Sequence, residues 1–373
     1  MTKVQIRRLD DYNLPPLQEA VDEFLNQEFN SHWKHSKKVL LKPNLLGAFP
    51  PERAVTTHPA LLEALILYFL DLGKEVWIGD SPGGTANVEK VWQTCGLQDL
   101  AERYPVRLLN LSTTGYRELI YEDISVKISD ILWNFGIIIN IGKLKTHSLV
   151  GFTGALKNLF GLVPGLAKSD YHRLYPNTND FCRLLVAIYQ LTKEYISYSF
   201  IDGILGMDGP GPSAGRVRKF GLLLGSKSIS SLDYVASKLM GFKLKDVPYL
   251  WDALHKDGQL ISDIQIPTSF QDFKLPDVDI RTVKMSNKFL RYVPRIVRYP
   301  FQRLYDRRPI ITSRCQKCSI CVKSCPAKAI SPPDKINFPV IDRKKCIKCL
   351  CCHEMCPYEA IDIHKTLLAK MVG

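Results

Sequence analysis

Gly136-Ile137-Ile138-Ile139-Asn140-Ile141-Gly142-Lys143-Leu144-Lys145-Thr146-His147 is the stretch that decides the fold. Its opening Ile run is β-branched and nearly continuous, as a strand buried on both faces requires. Such a strand needs helices above and below it, and the flanking sequence supplies them. Upstream, residues 38–42 form a short apolar run ending at Pro43-Asn44. A helical stretch over 59–72 stops at Gly73, and residues 75–79 read as the next strand. A helix over 88–103 and a strand over 106–109 follow. Downstream, 181–195 reads as helix, 199–204 and 220–224 as strands, and 232–239 as helix. Repeated strand-then-helix units give an α/β fold with a mostly parallel, helix-covered sheet. Strand order does not follow from the pattern.

In sheets of this kind ligands bind beyond the carboxyl ends of the strands. The residues there are polar. They are Lys42 and Asn44 after the first strand, and Asp80-Ser81-Pro82-Gly83-Gly84-Thr85 after the second. Asn140, Lys143, Lys145 and His147 follow the Ile run, then Lys157-Asn158, and Asp202-Gly203 ends a later strand. The Gly83-Gly84 loop can offer backbone N–H groups to an anion. It lacks the Gly-Lys-Ser/Thr ending of a P-loop and the full dinucleotide fingerprint. Lys42, Lys143, Lys145 and Lys157 are expected to hold an anion, which Asn44, Asn140 and Asn158 orient and Asp80, Gly83 and Gly84 border. Lys145, His147 and Asp202 are the candidate proton-moving, catalytic residues. The plain alternative is a set of solvated lysines and a hydrogen-bonded structural histidine.

Near the C-terminus one cysteine spacing occurs twice, as Cys315-x2-Cys318-x2-Cys321-x3-Cys325-Pro326 and Cys346-x2-Cys349-x2-Cys352-x3-Cys356-Pro357. This is the bacterial run that holds [4Fe–4S] clusters, in which the fourth cysteine ligates the other cluster. Crossed ligation assigns Cys315, Cys318, Cys321 and Cys356 to one cluster and Cys346, Cys349, Cys352 and Cys325 to a second. The copies also match at Lys317 and Lys348 and at Ala329-Ile330 and Ala360-Ile361, an internal repeat offset by 31 residues. A zinc pair would leave Cys321 and Cys352 without a role, and a disulfide framework belongs to small secreted chains. Cys351 reads as a packing or ligand-supporting thiol, and His353 as a surface or ligand-supporting residue. Cys95 and Cys182 read as buried small apolar groups.

The net charge is +13 over 373 residues. Between Arg281 and Arg308 nine basic residues face one acid, Asp306, and Arg291, Arg295 and Arg298 recur at helical spacing. This stretch reads as a partly helical linker. The rival readings are a docking segment for an acidic partner or an amphipathic segment on an anionic membrane surface. No nucleic-acid module is visible, which disfavours that class of partner. The expected organisation is an α/β domain over 1–280, the basic linker over 281–310, a small α+β two-cluster ferredoxin-like domain over 311–366 and a tail over 367–373. The N-terminus has no apolar segment of the secretory kind, and thiolate clusters need a reducing compartment, so a cytoplasmic location is expected. The longest apolar stretch, residues 60–72, is too short and too charged to span a bilayer.

Several stretches together resemble a known family. They are Lys42-Pro43-Asn44, Thr56-Thr57-His58-Pro59, Gly79 to Gly84, Asn140 to His147, Gly154-Ala155-Leu156-Lys157-Asn158-Leu159-Phe160-Gly161 and Asp202-Gly203. The family is domain of unknown function 362, and its members often carry a C-terminal two-cluster ferredoxin module. The resemblance implies the pairing of domains and supplies no reaction. The expected function is an iron–sulfur oxidoreductase binding two [4Fe–4S] clusters and relaying low-potential electrons to an anionic substrate. The rival is an electron-transfer or adaptor subunit without catalysis, docked on a redox partner protein. Whether the α/β domain is an enzyme stays open at this point, as does the oligomeric state.

Overall fold

The computed structural model describes residues 1–28, 31–83, 86–165, 167–281, 283 and 307–366. Gly84 and most of the basic 281–310 stretch lie outside these residues, as does the 367–373 tail. The linker, docking and membrane readings of that stretch therefore fall outside the described structure.

The strands in chain order are β1 (Thr2–Lys3), β2 (Gln5–Arg8), β3 (Lys38–Lys42), β4 (Glu75–Asp80), β5 (Val106–Asn110), β6 (Tyr116–Tyr121), β7 (Ile124–Ser129), β8 (Ile137–His147), β9 (Gly151–Thr153), β10 (Tyr198–Asp208), β11 (Arg216–Ser226) and β12 (Ile264–Gln265). The main sheet runs β2-β11-β10-β8-β3-β4-β5, with β9 folded back on β8. From β10 to β5 the neighbours are parallel, while β11 and β2 extend the sheet antiparallel. The α/β class and the mostly parallel sheet are thus seen. The central strands divide their side chains between two cores, as alternation demands. Leu40 and Ile138 enter one core with the helices Thr178–Thr192 and Ile229–Leu239. Val39, Leu41, Ile137, Ile139 and Ile141 enter the other with Leu14–Asn26 and Pro59–Asp71.

Four local features differ from the sequence pattern. The expected helix over 88–103 is two helices, Val88–Thr94 and Leu97–Arg103, separated at Gly96, whose φ of 76° no helix accommodates. β6 and β7 form a hairpin that the β–α pattern does not anticipate, although Ile124, Val126 and Ile128 alternate into the core. β11 returns from β10 without a helix between them, which makes it antiparallel. β8 does not stop at Ile141. It runs on to His147, so Lys143, Lys145 and His147 are strand residues, with side chains held by the sheet rather than by a loop.

Residues 307–366 form a small α+β unit. β13 (Arg307–Ile311) pairs antiparallel with β16 (Ile361–Lys365), and β14 (Ile330–Ser331) with β15 (Val340–Ile341). The 31-residue repeat is visible in the backbone. Lys317 and Lys348 have φ of 55° and 57°, Ser319 and Leu350 62° and 64°, and Lys328 and Glu359 49° and 50°. Left-handed conformations are uncommon for such residues. Their recurrence at matched positions marks two copies of one cluster-binding turn. No helix among the described residues is long and apolar enough to cross a membrane.

Candidate active site and cluster chambers

Tight turns bring the eight thiols around two chambers. Cys315, Cys318, Cys321 and Cys356 line one of about 330 Å³. Cys325, Cys346, Cys349 and Cys352 line another of about 310 Å³, with Cys351 beside them. Ile311, Ile320 and Ile361 complete the first wall, and Ile330, Ile341 and Leu350 the second. Four soft thiol donors in an otherwise apolar chamber suit a [4Fe–4S] cube. Burial and the neighbouring thiols Cys318 and Cys356 push the Cys321 thiol up to about 11. Crowded thiols of this kind ionise when a cationic metal core shares their charge. Ala329 N–H donates to Cys325 Sγ at 3.2 Å, and Ala360 N–H to Cys356 Sγ at 3.3 Å. The two fourth cysteines are therefore held alike.

A third cavity, about 790 Å³, lies beyond the carboxyl ends of β3, β4 and β8, between the α/β body and the cysteine-rich unit. The body contributes Asn44, Asp80, Gly83, Lys145, Thr153, Lys157 and Asn158, together with Lys168 and His172 from the helix Ala167–Leu174. The cysteine-rich unit contributes Ser324, Cys351, Glu354 and Met355. Cys351 therefore forms part of the wall of both this cavity and the second cluster chamber.

Lysines dominate the cavity. Lys145 Nζ donates to Asn44 Oδ1 at 3.0 Å and to the Val55 carbonyl at 2.6 Å. Burial, then the nearby Lys157, holds the Lys145 ammonium well below the usual lysine range. Lys157 is lowered by burial against the pull of Glu354. Lys168 donates to the Ser81 carbonyl, and burial brings its pKa down to about 7. His172 lies flat on Phe181 with ring centroids 4.5 Å apart, and burial lowers it to about 3. Buried polar atoms without partners gather at the same place: Thr153 Oγ1, His172 Nδ1, Ser324 Oγ and Glu354 Oε1. Native interiors leave few such atoms, so a cluster of them lining one cavity marks a place where a polar ligand fits.

The structure divides the sequence-picked residues into two groups. Asn44, Asp80, Gly83, Lys145, Lys157 and Asn158 line the cavity. His147 sits at its margin. Leu149 N–H donates to His147 Nδ1 at 3.1 Å, so the neutral ring carries its proton on Nε2, which faces Glu354 Oε1 at 3.4 Å. Burial, then Lys157, keeps this ring well below the usual histidine range.

Lys42, Lys143, Asp202 and Asn140 do not line the cavity. Lys42 is paired with Asp80 at 2.8 Å, and Asp80 Oδ2 also accepts from Leu45 N–H. A side chain at Gly161 would collide with this pair. Lys143 donates to Asp202 at 2.7 Å, Tyr12 OH donates to the same carboxylate at 2.7 Å, and His58 N–H donates at 3.0 Å. Asn140 links the Ala155 carbonyl to Asn158.

Three contributors escape the sequence reading. Lys168 and His172 lie four residues apart on one helix face, a spacing visible only once that helix is placed. Asp233, fully buried, accepts from Ala155 N–H at 2.6 Å and Leu156 N–H at 3.0 Å, and so holds the short helix Ala155–Asn158 that presents Lys157. Asp233→Ala strands both donors and is expected to lower stability by about 2–4 kcal/mol in urea unfolding.

The cysteine-rich unit is docked through its second run. His353 is buried rather than at the surface, its Nε2 3.0 Å from the Pro210 carbonyl and its Nδ1 2.6 Å from the Ile361 carbonyl. Arg53 pairs with Glu359 and donates to the Ser213 carbonyl at 3.0 Å. Gly83 meets Met355 so closely that a Cβ there would come within 2.8 Å of the sulfur. A side chain at Gly83 would displace Met355 and crowd the Leu46 carbonyl at 3.0 Å.

Comparison with known proteins agrees with this division. Residues 308–331 and 339–362 each match the 4Fe-4S binding domain, so the chain binds two [4Fe–4S] clusters. A thylakoid-associated protein of Synechocystis sp. is 27% identical over 283 residues, covering 74% of this chain and 85% of that protein. Among solved structures, a Thermotoga maritima protein superposes with a TM-score of 0.37 at 16% identity, over 54% of this chain and 52% of that one. The lactate racemase apoprotein of Thermoanaerobacterium thermosaccharolyticum superposes with a TM-score of 0.40 at 11% identity, over 64% and 57%. The chain thus spans little more than half the length of either structure. Residues 39–238, more than half of the chain, match the domain of unknown function DUF362, and the protein belongs to that family.

Proposed function

We propose that this protein is an iron–sulfur oxidoreductase whose α/β body holds a small anion beside the second cluster chamber. One observation carries the reading. Cys351 lines both that chamber and the lysine-rich cavity, so a molecule bound among the lysines lies one side chain from a cluster ligand set. When bound, the two clusters supply one-electron chemistry over a wide range of potentials. Lys145 and Lys157 hold the anion, and Asn44 and Asn158 orient it. Lys168 gains and loses its proton near pH 7 and is placed to hand one to the bound molecule. Lys143, Asp202 and the Lys42–Asp80 pair act as the frame that fixes the strand ends. A reducing, cytoplasmic setting fits the thiolate ligands.

Anaerobically purified protein with both clusters loaded tests this. Phosphate and acetate are expected to shift the electron paramagnetic resonance signal of one cluster only. The affinity for acetate, whose charge is constant in this range, is expected to fall as pH rises through about 7, because the anion binds the protonated Lys168 and its binding takes up a proton. Lys145→Met with Lys157→Met removes two hydrogen-bond donors that line the cavity and should weaken binding on the order of 100-fold. Anion-insensitive spectra in the wild type, or undiminished binding in the double variant, would sink the proposal. A carrier or adaptor subunit without its own chemistry rests on a different observation, the exposed Cys318 at the far chamber, and predicts those anion-insensitive spectra.

A further inference from the structure

The second run of the cysteine-rich unit meets the α/β body through Cys351 to Met355, but among the described residues another part of the unit's surface carries exposed apolar side chains. Ile336 is 87% exposed, Val340 62%, Tyr358 48% and Phe338 41%. Tyr358 lines the first cluster chamber, Val340 lines a neighbouring groove, and Ile336 and Phe338 lie on the same segment as Pro339, which lines both. Tyr358 lines the chamber together with Cys318, the one exposed cysteine among the eight, and Phe338 lies under the Lys317 ammonium at 5.6 Å. Pro339, between Phe338 and Val340, walls both the chamber and an adjoining groove of about 960 Å³ that reaches Cys346. Apolar side chains gathered this way and rimmed by polar ones are the usual mark of a protein contact.

The rim is cationic. Arg308, Arg343 and Lys348 line the groove, and Lys335 is exposed next to Ile336. The nearby acids are engaged within the chain. Asp334 accepts from Ile336 N–H at 2.7 Å and Asn337 Nδ2 at 2.8 Å, Asp362 pairs with Arg314 at 2.5 Å, and Glu359 is joined to Arg53. Residues 307–366 hold twelve Lys and Arg against five Asp and Glu. A face with an apolar centre, a basic rim and an exposed cluster ligand fits one kind of occupant.

We infer that this face docks an acidic one-electron carrier protein, with Ile336, Phe338, Val340 and Tyr358 at the centre and Lys335 and Arg343 steering the approach. Opposite charges raise the association rate and make it fall with salt. A basic carrier is repelled by the same rim. None of these residues lines the lysine cavity, so this inference stands or falls independently of the anion proposal.

The test uses the full chain with both clusters loaded and oxidised flavodoxin as the acidic probe, with binding read by calorimetry so that no turnover is needed. Expected are a measurable complex that weakens at least tenfold between 50 and 300 mM salt, and none with the basic carrier cytochrome c. Lys335→Glu with Arg343→Glu should abolish flavodoxin binding, while iron content and the cluster spectrum stay unchanged. Ile336→Ser with Val340→Ser should weaken it while retaining the salt dependence. Equal binding of flavodoxin and cytochrome c, or binding unaffected by both pairs of substitutions, would overturn the inference. So would a self-associated dimer that dissociates in the Ile336→Ser, Val340→Ser variant, or binding of anionic vesicles in place of the carrier.

Discussion

Cys356→Ser is expected to remove the first cluster and leave the second, although Cys356 belongs to the second cysteine run. The chamber walls require this result, because Cys356 shares its cavity with Cys315, Cys318 and Cys321. Its reciprocal, Cys325→Ser, should remove the second cluster and leave the first. Iron analysis should find about half the metal in each variant, and the two residual spectra should differ. Loss of the cluster belonging to the mutated run in both cases would refute crossed ligation. The pair also separates functions. Cys325→Ser should erase the response to anions, since the chamber walled by Cys351 is then empty. Cys356→Ser should retain it.

Asp202→Ala should produce the largest loss of stability in the α/β body, about 3–5 kcal/mol in urea unfolding, because it leaves Lys143 charged and unpaired in the interior. The carboxylate and the ammonium are both fully buried, and Tyr12 OH and His58 N–H complete the carboxylate's hydrogen bonds. Tyr12 and His58 stack at 3.5 Å over the same pair, so the N-terminal loop and the start of the helix Pro59–Asp71 depend on it. The double variant Lys143→Met, Asp202→Leu should recover much of the loss, since paired removal leaves no orphaned charge. An Asp202→Ala protein of unaltered stability that had lost only anion-linked proton uptake would instead place Asp202 in the chemistry.

The sequence displayed the sheet, because β-branched runs and glycine-ended helices are local signals. It displayed the two clusters even more plainly, since ligand spacing is written in consecutive residues. Strand order was hidden, because it depends on which faces pack, as with β11 returning antiparallel beside β10. The cavity was half visible. Lys145, Lys157, Asn44 and Asn158 stood out as polar residues at strand ends. Nothing local distinguished them from Lys143 and Lys42, whose acidic partners lie 59 and 38 residues away.

One signal went unread. The two cysteine runs repeat closely, yet Ile320, Val322, Lys323 and Ser324 in the first correspond to Cys351, His353, Glu354 and Met355 in the second. Those are the residues that touch the body. Of their first-run counterparts only Ser324 reaches the lysine cavity, so the departure of the repeat from itself marks the copy that carries most of the contact.

The shared wall at Cys351 has a consequence for how the protein matures. Ser324, Cys351, Glu354 and Met355 close the cavity, and the turns that carry them are organised around the cysteine chambers. A chain lacking iron and sulfide is expected to keep its α/β body and to hold this wall of the pocket less firmly, which hydrogen exchange over residues 351–355 with and without clusters would read. Cluster loading and completion of the proposed anion site are therefore expected to be coupled through Cys351. On the proposed function, loss of the clusters would then also weaken anion binding.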